Sequence, residues 1–102
     1  MTEDELLMRF ELSRQSIASW SAAMIHYVRA ATEQRETGNA SLEIALEAQR
    51  MLASVREEAA SLSAAGLATP TSSDDMKRGI AKALEELASI DGHLCKALAE
   101  IS

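Results

Sequence analysis

One cysteine, one proline, four glycines and three aromatic residues are spread over the 102 positions of this chain, and each scarcity excludes something. Cys95 alone cannot form an internal disulfide, and no metal-ligating residues stand at zinc spacing around it, so a reducing compartment and no metal or other cofactor are expected. The glycines stand singly, which rules out a glycine-rich loop for phosphate. With only Phe10, Trp20 and Tyr27 as aromatics, the 47% apolar content leans on alanine, which favours helix but fills little volume. A thin, elongated core is expected.

Clustered positive charge is missing as well. Ten Lys and Arg against 16 Asp and Glu give a net charge of −6, the wrong sign for neutralising a phosphate backbone, so nucleic acid is not expected as a partner. The stretch between Arg14 and Arg29 carries no charge, but Gln15 to Val28 contains Ser16, Ser19, Ser21 and His26 and is too short to span about 30 Å of hydrocarbon, so no membrane insertion is expected. The first residues, Thr2, Glu3, Asp4 and Glu5, carry the wrong charge for a secretory signal, and a cytoplasmic location is the expectation. No serine sits in a strand-to-helix elbow and no carboxylate pair lies within an apolar stretch, so the chain is read as non-enzymatic, with no catalytic residues.

What the sequence does contain is helix periodicity. Met76, Ile80, Ala83, Leu87, Ile90, Leu94, Ala97 and Ile101 follow at steps of four and three, an unbroken heptad seam. Near the start, Leu6, Phe10, Ser13, Ile17, Trp20, Met24, Tyr27 and Ala31 keep the same steps, with Leu7, Ile25 and Val28 widening the stripe. Between them Leu42, Ala45, Ala48 or Gln49, Leu52, Val55, Ala59 and Leu62 form a third stripe, with Ile44 and Met51 at its edge. Thr2 with Glu5 suits a capping box, Gly38 a left-handed C-cap, Asn39 or Ser41 the next N-cap, Gly66 with Leu67 a helix stop, and Ser72 or Ser73 the last N-cap. Asp74 stands one turn before Arg78 and is expected to pair with it. The expectation is one all-α domain over residues 1–102, an antiparallel three-helix bundle with long helices at about 3–37, 41–65 and 73–101, complete alone or as a dimer.

Several positions invite a chemical reading. His93, Lys96 and Ala97 spell the H-x-x-K-A core found in histidine phosphotransfer domains, where an exposed imidazole accepts phosphate; His26, Arg29 and Ala30 make a similar fragment. Cys95 has no cation at helical spacing that would activate it and reads as an inert thiol. Gly79 and Gly92 lie off the third seam, each costing about 1 kcal/mol against alanine, and are read as tolerated weakness in preference to a close backbone approach. The uncharged stretch Gln15 to Val28 reads either as a central helix covered by the other two or as a self-association face anchored by Trp20 with Met24.

Two fragments carry a family resemblance. Leu46, Glu47, Ala48, Gln49 and Arg50 look like the L-E-x-E-R element on the second helix of the FliT-like flagellar export chaperones, and Leu87, Ile90, Asp91, Leu94 and Leu98 are similar to that family's later helix. The tryptophan that often follows the family's first turn is absent, the corresponding place reading Asn39, Ala40 and Ser41. The resemblance implies a cytoplasmic export or type III secretion chaperone or adaptor. It would bind an amphipathic helix of a secreted filament or cap subunit and deliver it to the export apparatus. Leu52, Val55, Leu87, Leu94 and Leu98 would be the binding residues, with the loop at Pro70 letting the third helix swing. The alternatives are an acidic inhibitor protein of phage type, a histidine phosphotransfer module and a structural oligomerisation domain.

Overall fold

The computed structural model describes residues 2–38, 42–69 and 73–101, and they form three α-helices: α1 (Glu3–Thr37), α2 (Leu42–Ala68) and α3 (Asp74–Ile101). Start signals act where the sequence places them. The Thr2 hydroxyl accepts the Glu5 amide at 3.2 Å, and Glu3, Asp4 and Glu5 set negative charge against the positive end of the α1 dipole. Gly38, at φ 74°, closes the helix by donating its amide to the Gln34 carbonyl. Ser73 caps α3 by accepting the Met76 amide at 3.2 Å. The expected caps Asn39, Ser41 and Ser72, and the expected hinge Pro70, lie outside the described residues.

The helices run up, down and up. Arg9 of α1 meets Glu58 of α2, Arg56 of α2 meets Asp91 of α3, and Arg35 of α1 meets Glu100 of α3, so α2 is antiparallel to both neighbours while α1 and α3 are parallel. α3 packs against α1 and α2 more extensively than those two pack against each other. The molecule is a rod of 53 × 19 × 17 Å, as an alanine-rich core of few aromatics requires.

The third seam is buried along its length. Ile80, Ala83, Leu87, Ile90, Leu94, Ala97 and Ile101 are all inside, with Met76 half-buried at the start. They meet Leu6 and Ile17 of α1 and Met51, Leu52, Val55, Leu62 and Ala65 of α2 in the main core, while Ala31, Ala45, Ala97 and Ile101 close the far end. The small side chains there let the helices approach closely at the cost of buried volume.

Three details of the sequence reading are corrected. α2 does not stop at Gly66 but continues to Ala68; a Cβ at Gly66 would meet the Ile80 side chain of α3 at an ordinary 3.7 Å, so the glycine neither ends the helix nor is required by the packing. Leu42 is not in the inner stripe: it is 75% exposed, and the buried register runs through Ala45, Ala48, Met51, Leu52 and Val55. Arg78 pairs with Asp75, three residues away, and not with Asp74.

The glycines of α3 separate into two kinds. A Cβ on Gly79 would lie 2.8 Å from the Phe10 ring tip, so this glycine admits a close approach of α1, against the reading of tolerated weakness. Around Gly92 there is nothing within 4 Å, and there that reading holds. Gly92→Ala should therefore raise stability by about 0.5–1 kcal/mol through helix propensity. Gly79→Ala should gain nothing or lose, since its propensity gain is offset by displacing Phe10. Urea unfolding of the two variants side by side checks the contrast.

Candidate functional site

The residues singled out for partner binding converge in the interior. Leu87 and Leu94 are 0% exposed, Val55 1% and Leu52 9%, and Leu98 is half-buried where the main core meets the end cluster. α2 supplies Leu52 and Val55 and α3 supplies the other three, so they are two sides of one packed core. Trp20 and Met24 are also turned inward, half-buried against the main core. α1 is not a central helix covered by the other two: in its uncharged stretch Gln15, Ala18, Ser19, Ala22, Ile25 and His26 are exposed.

Two polar clusters tie the helices together, and neither is marked by local spacing. At one, Arg9 reaches Glu58 Oε2 at 2.8 Å while the Ser13 hydroxyl donates to Glu58 Oε1 at 2.5 Å. Ser13 is fully buried, and the Glu58 side chain is 15% exposed. Arg9 Nε is buried and has no hydrogen-bond partner. Beside them Ser16, Trp20, Ser54, Glu57 and Ser61 line a polar groove of about 360 Å³ between α1 and α2.

The second cluster latches α2 to α3. Arg56 Nε donates to Asp91 Oδ2 at 2.7 Å, Arg56 Nη2 lies 3.3 Å from the Cys95 sulfur, and the Cys95 thiol donates to Asp91 Oδ1 at 3.4 Å. Cys95 thus has a cation beside it after all, delivered by another helix, though the guanidinium is shared with Asp91. The hydrogen bond from Arg56 holds the Asp91 carboxyl below its ordinary 3.8. Because the folded value is the lower one, the latch stabilises fully above pH 3.8 and fades as pH falls through the depressed value. Asp91→Asn should therefore lower the melting temperature at pH 7, and its difference from the parent should close as pH drops below 3.8.

The phosphotransfer candidate has a definite geometry. His93 is exposed, and its Nδ1 lies 2.7 Å from the Ser89 carbonyl, a contact that as a donated hydrogen bond leaves Nε2 facing outward. Lys96 shares with it a shallow pocket of about 220 Å³, to which α1 adds Thr32 and Arg35. Arg35 is already paired with Glu100 at 3.6 Å, which offsets its charge toward an anion. Among the described residues no group of three or more His, Cys, Asp or Glu could hold a metal ion, and no helix is long and apolar enough to cross a membrane.

Sequence reasoning missed Arg9, Glu58, Arg56 and Asp91 as cross-helix partners. One signal was available: Ser13 interrupts an otherwise apolar stripe, and a serine in that position requires a polar neighbour. No family model, curated protein or solved structure matches the chain.

Proposed function

We propose that this chain is a non-enzymatic chaperone or adaptor that binds an amphipathic helix of a partner protein in the seat now held by α3. The observation that carries the reading is the packing of α3: a continuous apolar ridge lies between two helices that hold each other less than they hold it. A groove built to accept one helix of that pattern accepts another of the same pattern by exchange. Leu52 and Val55 form the floor on α2, and the Arg56–Asp91 latch is what an incoming helix displaces.

The resemblance to FliT-like chaperones gives the reading its biological form: a secreted filament or cap subunit as client, guarded from early polymerisation and delivered to the export apparatus from the cytoplasm. Affinity capture of the tagged chain from its own host, followed by mass spectrometry, tests it. Recovery of a secreted filament or cap subunit supports the proposal; recovery of the chain alone, or of an unrelated complex, overturns it.

A phosphotransfer role is the second reading, favoured by the outward Nε2 of His93 beside Lys96 and Arg35. It requires acid-labile phosphate on His93 after incubation with a phosphorylated receiver domain, and no incorporation removes it.

A further inference from the structure

The outer surface of α2 repeats the pattern of its inner one. Leu42, Leu46, Ala53, Ala60, Ala64 and Leu67 are all exposed and fall on one face of the helix, at spacings made of threes and fours. Three of them are leucines in solvent: Leu42 at 75%, Leu46 at 44% and Leu67 at 87%. From Leu42 to Leu67 this outer seam runs about 37 Å at 1.5 Å per residue. Gln49 and Arg56 are its polar members, and Arg56 is drawn aside toward Asp91 of α3, which leaves Ala53 and Ala60 as the centre of the face. A helix apolar on both faces is ordinarily covered on both.

Charge decides what covers it. Along the α1 side of the seam lie exposed Glu43, Glu47 and Glu57 against the single exposed Arg50. Glu47 is near enough to α1 to add to the rise of the Tyr27 phenol, which burial already pushes above 10.0. On the α3 side Lys77 stands beside Leu67 and Arg56 is shared with Asp91, so the excess of carboxylate lies on the α1 side; there three carboxylates against one guanidinium, on a chain of net charge −6, favour a flank of Lys and Arg and disfavour a second copy of the same surface.

We propose that the outer seam of α2 is a docking surface for an amphipathic helix of another protein whose apolar stripe is bordered by basic residues. Docking there leaves the bundle closed. It does not depend on α3 leaving its seat and stands or falls separately from the exchange proposed above.

The test uses the full chain and two synthetic four-heptad peptides with leucine at the a and d positions, one bordered by Lys and its twin by Glu. Isothermal titration should show the basic peptide binding at least about tenfold more tightly than the acidic one. Leu46→Glu and Leu67→Glu should each weaken the basic peptide by about tenfold or more, the equivalent of one leucine left unburied, while keeping the parent's melting temperature. Both substitutions add negative charge, so attraction by net charge alone would strengthen binding, and a loss reports the apolar seam. The proposal is overturned if neither peptide binds, if both bind equally, or if the variants bind as the parent does. It is also overturned if the seam proves to cover itself, seen as a dimer in sedimentation equilibrium that both variants abolish. Loss of hydrogen-exchange protection in α3 on peptide binding would overturn it too, because the peptide would then have taken the α3 seat.

Discussion

Leu94→Asp should leave the chain unfolded at 25 °C. Leu94 is 0% exposed in the C-terminal half of the α3 ridge, among residues that offer an aspartate nothing to bond to in the main core. Truncating such a leucine costs about 3 kcal/mol in transfer and cavity terms. An unpaired carboxylate buried there adds several kcal/mol more, or forces its own protonation. A domain of this size has about 5–15 kcal/mol in total. The circular dichroism of Leu94→Asp should accordingly lose the cooperative thermal transition, whereas Leu67→Asp, at a site 87% exposed, should keep it. A cooperative Leu94→Asp protein would mean that α3 does not seal the core. The comparison also governs how the proposed function is probed, because a substitution at Leu94 that removes binding by removing the fold says nothing about a binding groove.

The second large effect is expected at Glu58. Its two oxygens satisfy Arg9 from one side and the fully buried Ser13 hydroxyl from the other. Glu58→Ala strands both partners, and Arg9 already has a buried Nε without a bond. Leaving a mostly buried guanidinium and a buried hydroxyl unpaired should cost about 3 kcal/mol. Ser13→Ala should cost about 1 kcal/mol, since Glu58 keeps its bond to Arg9. Combined with Glu58→Ala it should recover part of the loss, because the stranded hydroxyl is gone. Guanidinium unfolding of the two single variants and the double variant measures all three values; additive losses would show that the three groups do not act as one unit.

How much of this was legible in the sequence varies by helix, for a physical reason in each case. α3 was read correctly along its whole ridge because its apolar residues occupy one face and its polar residues the other, so the period has a single phase. α2 was read half correctly. Its leucines and alanines lie on two faces, and nothing in the period tells Leu42 on the outer face from Ala45 on the inner one until a neighbour covers one of them. Gly66 reads as a stop because glycine commonly caps helices, but α2 runs on to Ala68, and a Cβ at Gly66 would meet Ile80 at an ordinary 3.7 Å. Gly79 is a true close approach, with a Cβ there 2.8 Å from the Phe10 ring of α1, a neighbour that no local spacing reveals. The residues proposed for partner binding lie on the heptad stripes, and the structure packs Leu52 and Val55 into one core with Leu87 and Leu94. Whether that seam opens is a question of energy, which no spacing encodes. The latch from Arg56 to Asp91 spans 35 positions and depends on the rotation of two helices about their axes, so it became visible only in three dimensions.

Amide hydrogen exchange followed by mass spectrometry shows whether α3 is an exchangeable occupant of a groove formed by α1 and α2. An exchangeable α3 should open as its own cooperative unit, with peptides from Asp74 to Ile101 exchanging faster than those from the centres of α1 and α2. Asp91→Asn, which takes the negative charge out of the latch, should speed that opening further. If the central peptides of all three helices instead exchange together at the rate of global unfolding, and Asp91→Asn speeds them equally, α3 is a permanent part of the core and the helix-exchange account is wrong.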